Sequence, residues 1–119
     1  MKYLVMMFGG VGEVLATKTP EWIANMHGVV EKLDQELKES GEVVGGGRLV
    51  DPTQAKTVRY EHGAPITTDG PFAEIKESLV GYWIIEADEQ RAIEVAAQMA
   101  VAVEHPIEVR RIMDEPPQM

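Results

Sequence analysis

The sequence predicts an α+β fold: a ferredoxin-like βαββαβ unit with an inserted β-hairpin. Three observations carry this. Two short runs, residues 2–8 and 80–87, are apolar on both faces and read as central strands. Two longer stretches repeat apolar residues at helical spacing behind clear N-cap signals. The remaining strand-like runs carry Glu42, Arg48, Glu108 and Arg110, charges that suit sheet edges. The element order is strand, helix, strand, hairpin, strand, helix, strand. Without the hairpin this is the split βαβ arrangement, in which the first and third main strands are central and both helices cover one sheet face.

The elements follow in order. Tyr3, Val5 and Met7 alternate with Leu4, Met6 and Phe8 in the first strand. One lysine, a short apolar run and then glycines make this a strand rather than a leader peptide. The glycines Gly9, Gly10 and Gly12 lack the spacing of a phosphate-binding loop and read as a rim loop. Thr19-Pro20-Glu21 starts a helix with an N-cap, a first-position proline and an acid in the first turn. Its expected buried stripe is Trp22, Ile23, Met26, Val29, Val30, Leu33 and Leu37, and Ser40-Gly41 ends it. A strand near 42–50 contains Gly45-Gly46-Gly47, which predicts a bulge or a close backbone approach. Asp51-Pro52 turns the chain into a hairpin, 57–60 with 64–67, through Glu61-His62-Gly63. Residues 73–77 suggest a short helical turn. Asp88 caps a second helix over about 88–103, with Ile93, Ala96, Ala97, Ala100 and Val103 as its expected stripe. Ile107–Ile112 is the last strand. The domain is expected over residues 1–113, with 114–119 as an extended tail.

Composition excludes several functions. The 119 residues suffice for one domain with a core, and 45% of them are hydrophobic. Twenty acids against eleven Lys and Arg give a net charge of −9. That disfavours direct nucleic-acid binding, as does the scatter of basic residues, of which only Arg110 and Arg111 are adjacent. No apolar run approaches the ~20 residues of a membrane helix. The absence of cysteine rules out disulfides and thiolate chemistry and agrees with a cytoplasmic, reducing location.

The run Thr67-Thr68-Asp69-Gly70-Pro71-Phe72-Ala73-Glu74 stands apart. Pro71 fixes its own φ and Gly70 reaches angles closed to other residues, so the run reads as a rigid corner. Asp69 is expected to accept from the amides after it, with Phe72 as an aromatic anchor. This run resembles the signature of the DGPF proteins, a branch of the YCII-related family. The resemblance continues from Met1-Lys2-Tyr3-Leu4-Val5 to Ile107-Glu108-Val109-Arg110. It implies a homodimer, a dimeric α/β-barrel-like assembly in which a second copy covers the helix-free sheet face. A monomer covered by its own hairpin is the alternative.

Chemistry centres on His27 and Asp69. At about 100° per residue, His27 lies at the border of the first helix's apolar stripe, beside Val30 and Glu31, where an imidazole can face a cleft. The structural alternative is a boundary histidine bonded to a carbonyl or to Glu31. For Asp69 the structural alternative is a turn cap. The family resemblance implies a His–Asp pair for acid–base work; the matching first-helix histidine is His27, and Asp69 is the candidate acid from the signature. His27 would take or give a proton while Asp69 orients the imidazole. Tyr82, Trp83 and Phe72 are the candidate substrate contacts. The expected ligand is a small organic molecule, and the expected reaction a lyase or isomerase step on an organic acid or ketone. No cofactor or metal is expected: His27 and Glu31 have i, i+4 spacing but no third ligand nearby. Ser78 lacks a nucleophile elbow. His62 is placed in the hairpin turn and His105 in a loop after the second helix. The competing reading is a regulatory module, because DGPF-type domains are associated with sigma factors of the extracytoplasmic-function class.

Overall fold

The computed structural model describes residues 1–9, 16–72 and 77–116. Gly10 and Gly12, most of the short turn expected at 73–77, and the last three residues lie outside the described residues. The strands are β1 (Lys2–Gly9), β2 (Val43–Arg48), β3 (Lys56–Glu61), β4 (Ala64–Asp69), β5 (Ser78–Glu86) and β6 (Ile107–Ile112). Among the described residues the full helices are α1 (Pro20–Glu39) and α2 (Glu89–Val103), with a 3-10 turn at Pro52–Gln54. Four strands form an antiparallel sheet in the order β2-β5-β1-β6, while β3 and β4 pair with each other. This mixed α+β arrangement is compatible with a ferredoxin-like fold. The two strands apolar on both faces are central, and the charged ones are edges. Among the described residues no helix is long and apolar enough to cross a membrane.

Local chemistry explains the boundaries. The Thr19 hydroxyl accepts from the Trp22 amide at 3.1 Å, and Pro20 occupies the first helical position. At the other end of α1, Gly41 takes φ +80°. Its amide donates to Lys38 O at 3.1 Å, and the Glu42 amide donates to Leu37 O at 3.0 Å. These two bonds make a Schellman closure, which satisfies carbonyls the helix leaves open. Asp88 caps α2 by accepting from the Arg91 amide at 2.8 Å. His62 and Gly63, at φ +52° and +80°, are the two turn residues between β3 and β4, the positive-φ pair of a type I′ turn.

The core lies between the helices and one sheet face. Val5, Trp83 and Ile85 from the sheet meet Val30, Leu33 and Leu37 of α1 and Val95, Ala96 and Met99 of α2. The stripe of α2 differs from expectation: Ala92, Val95, Ala96 and Met99 are buried, whereas Ile93 is 53% exposed. This helix carries apolar residues around most of its girth, so periodicity could not set which side turns inward. On α1 the stripe begins deeper than expected; Trp22, Ile23 and Met26 are half-buried and Val29 is exposed. The opposite sheet face carries Leu4, Phe8, Tyr82, Ile84 and Ile112, all half-buried, around a buried Met6.

One ion pair ties the segment just after α1 to the first turn of α2. The Glu42 carboxylate accepts from Arg91 Nε at 2.6 Å, Arg91 Nη2 at 3.2 Å and the Ser40 hydroxyl at 2.8 Å. The Arg91 bonds first, then Ser40, hold the Glu42 carboxyl below its ordinary value. A carboxyl lowered in the folded state contributes stability that is complete above its unfolded pKa and lost as pH falls through the folded one. Glu42→Gln should therefore cost about 1 kcal/mol near neutral pH, the value of a charge-assisted contact reduced by partial exposure. Denaturation midpoints measured from pH 7 downward should show a shallower acid-side fall in the variant than in the parent.

Candidate functional site

A cleft opens between α1 and the β2 end of the sheet. Its volume is about 420 Å³, within the range of small-molecule sites. Val5, Met7, Val30, Trp83 and Met99 supply apolar lining; Glu31, Asp34, Lys38 and Arg48 supply the charge. The polar groups arrive through helix geometry. His27, Glu31, Asp34 and Lys38 stand at i, i+4, i+7 and i+11, which places them within about 60° of one another on α1. That strip runs along the flank of the Val30, Leu33, Leu37 stripe.

Trp83 organises the wall facing this strip. Its indole Nε1 donates to Asp34 Oδ1 at 2.9 Å, and the other Asp34 oxygen accepts from Lys38 Nζ at 2.9 Å. A buried indole needs such an acceptor. The strand beside it is built from glycine for the same reason. β2 bulges between Val43 and Gly45, and Gly46 has φ +147°. A Cβ on Gly46 would lie 2.5 Å from Tyr82 O and 3.0 Å from Trp83 Cδ1, so only glycine fits. The close approach expected from the triple glycine is thus to strand β5 and the indole.

The expected site residues are placed in different parts of the molecule. Trp83 lines the cleft; Tyr82 borders it, although alternation along β5 turns its ring to the helix-free face. His27 is exposed on α1, one turn before Glu31, and is not among the lining residues. Asp69 ends β4 with its side chain 83% exposed and paired with Lys56. No hydrogen bond or ion pair joins His27 to Asp69 in the protomer. The Asp69 carboxylate does not cap its corner: the Gly70 amide donates to Ala55 O at 2.7 Å. The Asx geometry expected there gives way to a backbone bond made across the base of the hairpin. Phe72 is 81% exposed rather than anchored in the protomer.

Asp34 and Lys38 are absent from the sequence-based expectations, and Arg48 enters them only as an edge-strand charge. A signal existed for Asp34, which lies about 70° from the centre of the Val30, Leu33, Leu37 stripe, closer than His27. A second polar contact lies elsewhere: His105 Nε2 meets Glu77 Oε1 at 2.7 Å, beside Phe8 and Ile107. Among the described residues no three His, Asp or Glu side chains gather as metal ligands.

Comparison with known proteins adds the following. A family model described as the YCII-related domain matches residues 1–116. An uncharacterized protein of Rhizobium meliloti (strain 1021) is 40% identical over 65 residues. That match covers 54% of this chain and 52% of that protein, about half of each.

The glycines of the cleft make opposite expectations. Gly46→Ala should destabilise by roughly 1–3 kcal/mol, the range for strained backbone, because the obstacle is the Tyr82 carbonyl itself. Gly81→Ala meets only Gly47 O at 3.4 Å and Met7 Cε at 3.9 Å, with no positive φ, and should fold nearly as well as the parent. Urea denaturation of the two variants side by side checks both.

Proposed function

The chain belongs to the YCII-related family, and on that basis we propose that it takes a small organic acid or ketone into the α1–β2 cleft and moves a proton on it. This is the acid–base work of a lyase or isomerase. The observation that carries the reading is the cleft itself: an apolar interior with Glu31, Asp34, Lys38 and Arg48 converging on it. His27 is the proton-exchanging group of this reading: it lies outside the cleft lining of the protomer, but it stands one turn before Glu31 on the same α1 strip with its imidazole open to solvent. Asp69, the acid of the DGPF-type corner, is the orienting carboxylate. In the protomer it is engaged by Lys56, so its pairing with His27 is assigned to the assembled dimer.

The dimer is part of the same proposal. The helix-free face presents Leu4, Phe8, Tyr82, Ile84 and Ile112 half-exposed on one continuous sheet, while among the described residues β3 and β4 pair with each other in a separate ribbon. An apolar face of this kind is buried most simply by a second copy. Sedimentation equilibrium at micromolar concentration should give twice the chain mass of 13.2 kDa. Ile84→Arg should give the monomer with its circular dichroism intact; a parent that sediments at 13.2 kDa defeats the assembly.

A thermal-shift screen of small carboxylates, ketones and phenols tests the cleft. Members of the panel should raise the melting temperature with rising concentration, as ligands of the native state do. Gly81→Leu, which fills the cleft beside Met7, should abolish the shift without unfolding the chain. An equal shift in that variant would move binding elsewhere.

A further inference from the structure

The charges around the cleft select among ligands, and this selection rests on the cleft reading above. Asp34 and Lys38 neutralise each other at 2.9 Å while Asp34 also holds the indole. Two charged lining residues remain, Glu31 on the helix wall and Arg48 on the strand wall. Neither has an ion pair or side-chain hydrogen bond among the described residues. Arg48, Arg59 and Arg111 have no carboxylate partner among the described residues, and of these Arg48 lines the cleft.

Arg48 is also well placed. It stands opposite Gly81 in the β2–β5 register, on the side of the sheet that faces the helices. Neither Gly47, its neighbour in β2, nor Gly81 carries a side chain to stand between the guanidinium and the apolar interior. A guanidinium is a planar fork that matches a carboxylate through two parallel hydrogen bonds. Trp83, Met7 and Val30 offer the body of a ligand an apolar, partly aromatic surface. Glu31 repels a second carboxylate and accepts a hydrogen bond from a hydroxyl group.

We propose that the cleft binds a hydroxylated aromatic monocarboxylate, its carboxylate on Arg48 and its hydroxyl directed to Glu31. Arg48 is the residue that sets specificity for an acid over a neutral analogue, and Glu31 the one that rejects dicarboxylates.

Isothermal titration of the full chain at low salt, with three probes of one ring size, tests this. The probes are para-hydroxybenzoate, the neutral para-hydroxybenzyl alcohol and the dicarboxylate terephthalate. In the parent, para-hydroxybenzoate should bind about tenfold more tightly than either other probe, the scale of one charge-assisted pair. Arg48→Gln should remove that advantage and leave the alcohol unchanged. Arg48→Lys should recover only part of it, because an ammonium lacks the fork. Glu31→Gln should strengthen terephthalate binding. Equal affinity for the alcohol and the acid, or an Arg48→Gln variant that binds the acid like the parent, overturns the carboxylate assignment while leaving the cleft as a binding site. Absence of binding by all three probes overturns this assignment, and a simultaneous blank in the thermal-shift panel overturns the cleft reading as well.

Discussion

The hydrogen bond from Trp83 to Asp34 is the contact on which the site depends. The indole belongs to the core, packed with Val5, Ile85 and Met99, yet its nitrogen must find an acceptor once it leaves water. α1 supplies that acceptor from the flank of its buried stripe. The acceptor is a carboxylate, so it brings a charge, and Lys38 one turn further along offsets it. On the other side of the indole β2 must give way, which it does through a bulge and the bare backbone of Gly46. A helix kept at a polar distance from a strand whose middle is the bare backbone of Gly45-Gly46-Gly47 leaves a gap between them. The cleft is that gap.

Around it the frame is held by less specific means. The Schellman closure after α1 delivers Glu42 to Arg91, so the helix end, the start of β2 and the first turn of α2 share one corner. Glu42 also joins the sheet, its carbonyl accepting from the Glu86 amide at 2.8 Å. The helix side of the sheet is thereby closed within one chain. Among the described residues no helix covers the other side, and its half-buried apolar residues are the physical motive for the dimer proposed above.

Much of this was legible in the sequence because it follows from local chemistry. Thr19-Pro20, Ser40-Gly41, Asp88 and the His62-Gly63 turn each act within a few residues of themselves, and each marks its boundary in the structure as expected. Strands β1 and β5 are central because only central strands need apolar side chains on both faces, a property that alternation displays openly. The triple glycine announced its bulge for a similar reason: without side chains a strand has little else to offer.

Tertiary structure decided what local pattern leaves degenerate. The inward side of α2 was set by packing against the sheet, since Ile93 and Val95 are equally apolar in sequence and only one of them is buried. The corner at Asp69-Gly70-Pro71 was read as a self-contained turn, but its amide bonds to Ala55, fifteen residues earlier, and its carboxylate goes to Lys56. Asp34 shows the difference most plainly. Its place on the helix flank could be computed from the sequence, but its role could not, because its partner Trp83 lies 49 residues away on another element. By itself the sequence determined the elements, their order and which strands are central, all of which depend on neighbours along the chain. Which polar side chains converge depends on neighbours in space, and those exist only once the sheet and α1 have packed.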